Sequence, residues 1–474
     1  MSTAAATSGG PVAAVAPLAP AAVAAEAYAA PWGWACGRRM LWLLAAGLVW
    51  WLAALAEPRW IVLAPAWEAA VLAAWVLDLR RLPVPAGLTV ERNWLGPAHL
   101  GGARLGWRIR NRASRGVTVW LSDELPPGLT SGAAAGVVQG RWLAAGSQLA
   151  VEAEFQPQDL GGARCGQPYL RYQSAWGLAE RRARAPLAQS VRVYPDLEAA
   201  RRDAAALSLT HPRLAALLRN ARQKGRGREF ESLHAFREGD EPRDIFWPAT
   251  ARTGRTMVKV RQAERGEPVW LVLDCGRLMR ARERGGEPRR LGRAATAALT
   301  LASAALAASD KVGLLAYGAG IQCRLPPAGG AGQARAVLEA LAGLEAERGE
   351  ADHYRAAAAL LAAQPRRAMV IWLTELAESG LMPEVVEAGA QISRRHCLLL
   401  AVPRVAALAA AATAIPASPR EMYLAAAALE LAVRRQETLA RLRAQGARAI
   451  ELGRETMAAT LVRQYLEIKL SGRL

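Results

Sequence analysis

The sequence predicts a multidomain chain: an N-terminal transmembrane helical hairpin, an antiparallel β-sandwich, and a doubly wound α/β domain. Three observations carry that prediction. Two long apolar runs lie back to back between residues 40 and 77. Short alternating segments broken by Gly, Pro, Asn and Ser follow them. From residue 268 onward, near-continuous apolar strands alternate with helical stretches. At 474 residues the chain has room for two or three domains, and 52% hydrophobic residues supply ample core.

Residues 1–37 are rich in Ala and Pro and nearly free of charge, which reads as a disordered tail. Residues 38–81 form the hairpin. Arg38 and Arg39 precede the run Met40–Ala56, Glu57-Pro58-Arg59 interrupts it, and Trp60–Leu77 leads to Asp78, Arg80 and Arg81. Each run is about long enough to cross a bilayer as a helix. Trp32, Trp34, Trp60 and Trp75 sit near run ends, where indoles favour the interface. Arginine pairs flank both outer ends and one arginine occupies the turn, so the positive-inside rule puts both termini and the soluble domains in the cytoplasm, at the inner membrane. Glu68 inside the second run needs protonation or a partner helix.

Residues 82–195 read as the β-sandwich, with alternation clearest in Leu149-Ala-Val-Glu-Ala-Glu-Phe155 and turns at Leu125-Pro-Pro-Gly128 and Leu160-Gly-Gly162. Residues 196–266 form a linker, helical over 197–225 and strongly basic from Arg219 to Arg228. No phosphate-loop spacing accompanies its glycines. Residues 267–474 form the α/β domain. Its strands are expected at Val269–Leu273, Val312–Tyr317, Ala368–Leu373, His396–Val402 and Ala447–Leu452. Helices between them imply a mostly parallel sheet covered on both faces. The polar groups Asp274 and Thr374-Glu375 fall at the carboxyl ends of two strands, where such sheets hold ligands.

The charge balance narrows the function classes. Lys+Arg outnumber Asp+Glu 60 to 41, for a net charge of +19. That suits an anionic membrane face or nucleic acid. Only four lysines are present, however, and no aromatics interleave with residues 219–228, which disfavours a nucleic-acid interface. The five cysteines at 36, 165, 275, 323 and 397 form no CxxC pair, which argues against a zinc site or disulfide framework. The five histidines make no HExxH motif, and no GxSxG is present, so no catalytic residues are assigned and no cofactor is expected.

The linker carries one unusual stretch: Glu229-Phe230, Gly239-Asp240, Arg243, Trp247 and Ala251-Arg252. Asp240, Arg243 and Arg252 have the charges for an ion-pair cluster around Trp247, either as a structural staple or as an interaction surface. Together with Asp274 and the layout of the whole chain, this stretch resembles the family called domain of unknown function 58. That family's α/β domain is similar to von Willebrand factor type A domains, which often carry a metal-ion-dependent adhesion site. The resemblance implies a protein partner, a MoxR-type AAA+ ATPase, and a degenerate site at Asp274, Thr374 and Glu375. Gly276 and Leu278 stand where the family of folds places serines, so magnesium would be held weakly. The expected function is a membrane-anchored adapter rather than an enzyme. The alternatives are a basic membrane protein that binds nucleic acid or anionic lipid, or a metal-dependent enzyme.

Overall fold

A computed structural model describes residues 20–126, 128–131, 138–210, 233–235, 247–259, 266–282, 287–376, 383–453 and 456–471. The chain divides into two compact units, one mainly Pro17–Asp196 and one mainly Leu197–Glu283 with Arg289–Leu474.

The first unit contains the hairpin. Helices α1 (Arg38–Ala56) and α2 (Leu63–Arg81) flank a 3-10 turn, Pro58–Val62. At 19 residues each, they extend about 28 Å, close to the thickness of a hydrocarbon core. Only 11% of each apolar window is covered by protein, whereas a soluble core helix would be mostly covered. Glu68 meets a partner helix as expected: the Trp51 indole donates to it at 2.8 Å. Trp67 donates across the hairpin to the Leu43 carbonyl at 2.9 Å. This close approach depends on Gly47, because a Cβ there would lie 2.7 Å from Trp67 Cδ1. Gly47→Val is therefore expected to splay the helices and lower the melting temperature of the detergent-solubilised chain, at a cost of about 1–3 kcal/mol.

Thirteen strands complete this unit among the described residues: β1 (Val23–Glu26), β2 (Tyr28–Cys36), β3 (Leu88–Trp94), β4 (Ala98–His99), β5 (Ala103–Asn111), β6 (Val117–Ser122), β7 (Leu129–Ser131), β8 (Val138–Leu143), β9 (Gln148–Pro157), β10 (Gly161–Cys165), β11 (Tyr169–Gln173), β12 (Ala179–Arg184) and β13 (Gln189–Tyr194). They build two five-stranded sheets, β1-β3-β5-β9-β7 and β2-β12-β11-β6-β8, and a three-stranded sheet, β10-β13-β4. Residues from both large sheets share one core, with Val90, Leu105 and Ile109 from one and Val119, Leu121 and Tyr172 from the other. A fully buried ion pair crosses this core: Arg92 Nε donates to Asp123 at 2.9 Å, and Trp107 donates to the same carboxylate at 2.7 Å. The expected disordered tail is corrected over residues 20–37, which form β1 and β2. β1 pairs with β3 and β2 with β12. Low charge and small side chains suit a strand closing a sheet edge as well as a tail, and tertiary pairing decides between them.

The loop between β11 and β12 grips the base of the hairpin. Asp78, fully buried near the end of α2, accepts from Ser174 Oγ at 2.5 Å, Leu178 N–H at 3.0 Å and Ala179 N–H at 2.9 Å. At the start of α1, Gly37 N–H donates to the Leu178 carbonyl at 2.7 Å. Arg39 donates to the Ala175 and Trp176 carbonyls, and the Arg81 guanidinium stacks 4.0 Å from the Trp176 ring centroid. Both helices are thus fixed to the β sheets by one short loop.

The second unit begins with α3 (Leu197–Thr210), a two-stranded ribbon of β14 (Leu233–Ala235) and β15 (Met257–Lys259), and the short helix α4 (Trp247–Thr253). Its main sheet contains β16 (Pro268–Asp274), β17 (Lys311–Tyr317), β18 (Ile321–Ala328), β19 (Met369–Leu373), β20 (Cys397–Pro403) and β21 (Arg448–Leu452). The order is β18-β17-β16-β19-β20-β21, parallel except for the antiparallel edge strand β18. Helices α5 (Arg290–Ala307), α6 (Gly330–Ala342), α7 (His353–Ala363), α8 (Pro383–Ser393), α9 (Ala406–Thr413), α10 (Pro419–Ala444) and α11 (Met457–Leu470) connect or follow the strands. Trp270, Val272, Val370 and Trp372 enter one core with Leu360 of α7, Val385 of α8 and Leu439 of α10. The alternate residues Val269, Leu271 and Leu273 are equally buried, and α5 packs on β16 and β17. Strands buried on both faces explain the unbroken apolar runs of the sequence.

Candidate functional site

The carboxyl ends of β16, β17 and β19 bring together a buried polar cluster. Asp274 is the last residue of β16 and sits opposite Tyr317, the last of β17. Thr374 directly follows β19. Asp274 Oδ1 accepts from the Gly276 N–H at 2.7 Å, and Oδ2 accepts from Thr374 Oγ1 at 2.7 Å. Beneath them, Trp372 Nε1 donates to the Tyr317 hydroxyl at 2.7 Å, and that hydroxyl contacts His353 Nδ1 at 2.9 Å. An indole N–H only donates, so Tyr317 accepts from Trp372, and the direction of its contact with His353 Nδ1 follows the imidazole tautomer. His353 opens α7, whose first turn is capped by Asp352 accepting from the Arg355 N–H at 2.9 Å.

Burial dominates the titration of this cluster. It raises the Asp274 carboxyl above its ordinary value, partly offset by His353 and by the hydrogen bonds from Thr374 and Gly276. It lowers His353 below its ordinary value, partly offset by Asp274 and Glu384. The signs oppose each other. The Asp274 contribution to stability is complete below the ordinary Asp value and is lost as pH rises through the raised one. The His353 contribution is complete above about pH 6.5 and is lost as pH falls through the lowered value. His353→Gln is therefore expected to reduce the loss of thermal stability on acidifying below about pH 6.5, read as melting temperature against pH.

Glu375 faces elsewhere. Its carboxylate is 3.2 Å from Arg290 Nη1 and 2.6 Å from Arg435 Nη1. Arg435 also pairs with Glu451 at 2.9 Å and donates to the Pro403 carbonyl. Burial raises the Glu375 carboxyl, with Arg435 and Arg290 opposing that rise. The expected ligand trio is thus divided: Asp274 and Thr374 are joined by a hydrogen bond, and Glu375 belongs to an arginine cluster linking α5, β19, α10 and β21.

A divalent ion, as the fold resemblance implies, does not fit these residues. Both Asp274 oxygens already hold protein donors. A side chain on Gly276, where a serine would be needed, would meet Ala351 Cβ and N at 2.9 Å. Leu278 offers no oxygen, and no group of three or more metal-ligating residues forms among the described residues. The adjoining cavity, lined by Asp274, Arg277, Glu350, His353 and Glu384, measures about 30 Å³ and has room for a water.

Of the linker stretch, Trp247 and Arg252 are described. Both lie on α4 and are exposed, Trp247 at 68%. Glu229, Phe230, Gly239, Asp240 and Arg243 lie outside the described residues, as does the expected ion-pair cluster. Sequence reasoning missed Tyr317, His353, Arg290 and Arg435. Only His353 carried a signal, as an isolated histidine at a helix start; the others are brought in by long-range packing.

No curated protein matches the chain. Among solved structures, the conserved hypothetical protein BatB from Bacteroides thetaiotaomicron aligns with 16% identity and a TM-score of 0.29, over 44% of this chain and 100% of that one. An aerotolerance-related membrane protein from Bacteroides fragilis aligns with 15% identity and a TM-score of 0.26, over 43% of this chain and 99% of that one. A von Willebrand factor type A protein from Catenulispora acidiphila aligns with 15% identity and a TM-score of 0.24, over 44% of this chain and 43% of that one. Residues 232–413 match the model of the family described as protein of unknown function DUF58. Over that span the chain is similar to the domain of unknown function 58 that its linker stretch resembles.

Proposed function

We propose that the protein is a membrane-anchored adapter that binds rather than catalyses, with both termini and both soluble units on the cytoplasmic face of the inner membrane. The observation that carries the anchor is the exposed apolar hairpin, joined to the β sheets through the buried Asp78. Arg38, Arg39, Arg80 and Arg81 crowd its base, while Arg59 in the turn is paired with Glu57. That asymmetry favours a cytoplasmic base. The adapter reading rests on the α/β unit, whose carboxyl-edge polar groups are spent on holding strand ends together.

The partner we assign to the α/β unit is a MoxR-type AAA+ ATPase or its clients, as the family resemblance implies. Docking would not require a divalent ion, because the donor set does not fit one. The test is a pull-down from detergent-solubilised membranes with tagged full-length protein, with and without ATP, in magnesium or EDTA. Co-purification of an AAA+ ATPase that persists in EDTA without ATP supports a metal-independent adapter. Recovery that requires magnesium in the absence of nucleotide contradicts the metal-independent docking. Recovery of no ATPase removes the proposed partner.

A further inference from the structure

The outer face of the β2-β12-β11-β6-β8 sheet carries a groove of about 470 Å³ lined by Trp120, Tyr169, Arg171, Arg182 and Arg184. The period-2 pattern sends these residues outward, while Leu170, Tyr172 and Ala183 fill the core. Two features of the groove are costly for the fold alone. Arg171 and Arg182 stand directly opposite one another on neighbouring strands, and like charges in that position destabilise a sheet. Two guanidiniums also share one nearby carboxylate. Glu180 lies 3.9 Å from Arg171 and 3.4 Å from Arg182, while the Arg184 Nε is buried without a hydrogen-bond partner.

We infer that this groove is a docking site for an acidic protein segment with neighbouring Asp or Glu side chains. The groove combines charge complementarity with a prepared geometry. The Arg171 guanidinium is stacked 4.3 Å from the Trp120 ring centroid, and that of Arg184 lies 4.6 Å from Tyr169. Stacking fixes each guanidinium plane, and the Arg171 and Arg182 N–H groups already face a carboxylate, that of Glu180. The same stacking disfavours nucleic acid, since guanidiniums already cover the ring faces on which bases would stack.

The test uses the full chain in nanodiscs of zwitterionic lipid and fluorescence anisotropy of a labelled Glu-rich peptide. A Gln-for-Glu version of the peptide and a single-stranded RNA of similar length are compared with it. The expected result is salt-sensitive binding of the Glu-rich peptide above both comparators. Arg171→Gln/Arg182→Gln should weaken it by at least about ten-fold, in keeping with the loss of charged hydrogen bonds. Both arginines also pair with the buried Glu180, so the variant's melting temperature is checked before binding is read. Arg182→Gln alone serves if the double variant fails to fold. No binding of the Glu-rich peptide, binding unchanged by either variant, or RNA bound more tightly than the peptide overturns the inference.

Discussion

Glu375→Ala is expected to destabilise the α/β unit by about 3–5 kcal/mol, the usual cost of leaving buried charge without its partner. Arg290 and Arg435 both pair with this carboxylate, and their side chains are only 9% and 10% exposed. For a unit of this size the loss corresponds to about 6–20 °C in melting temperature. The experiment also separates two roles for the residue. A structural Glu375 gives the same loss in magnesium and in EDTA, and added magnesium leaves the parent protein's melting temperature unchanged. A metal-holding Glu375 gives a parent protein stabilised by magnesium and a variant that has lost the response. Thermal unfolding of the full chain, with and without magnesium, reads both.

Asp78→Ala is the second large effect. Its carboxylate takes a hydroxyl and two backbone N–H groups from the Ser174–Ala179 loop. Hydrogen bonds to a charged group each contribute about 1.5–3 kcal/mol, and donors stranded in a buried site add their own desolvation cost. A loss of about 3 kcal/mol or more is expected at the junction. The consequence is specific: the helices remain in the membrane, but the loop loses its hold on them. Limited proteolysis of the membrane-embedded variant should open new cleavage around residues 174–179, with no release of the hairpin. Asp78→Asn retains one acceptor oxygen and should fall between parent and Ala variant. Equal protease resistance in all three would reject the clamp.

How far the sequence could be read depended on the range of the contacts. The α/β strands were legible because burial on both faces makes them unbroken apolar runs such as Val269–Leu273 and Leu398–Val402. Edge strand β18 was not. It alternates exposed and half-buried residues and carries Pro326 and Pro327, which read as a turn. β1 and β2 were hidden for a related reason, since alanine-rich low-charge sequence reads alike as tail or as edge strand. Residues 406–413 were not read as a helix because Ala-rich sequence without polar periodicity gives no amphipathic signal, yet they form α9.

The site divides in the same way. Asp274 and Thr374 were placed together by the rule that ligand groups gather at the carboxyl ends of parallel strands, and their hydrogen bond spans 100 residues of sequence. Glu375 was grouped with them because it stands where the resembled fold carries an Asp after the central strand. Its direction was set by Arg290 and Arg435, one 85 residues before it and the other 60 after. No local pattern encodes such partners. Asp78 was read as a charge ending an apolar run, and its burial against the Ser174–Ala179 loop emerges only from the folded chain.

The central claim, a bilayer hairpin with a cytoplasmic base, is tested most directly at Cys36. This residue is exposed and lies two positions before α1, whereas Cys165 and Cys275 are buried. Membranes containing the full chain are washed with alkaline carbonate, and intact and permeabilised cells are treated with a membrane-impermeant maleimide. The account predicts that the protein stays in the washed membrane and that Cys36 labels only after permeabilisation, with the signal lost in Cys36→Ser. Release by carbonate, or Cys36-dependent labelling in intact cells, would contradict it.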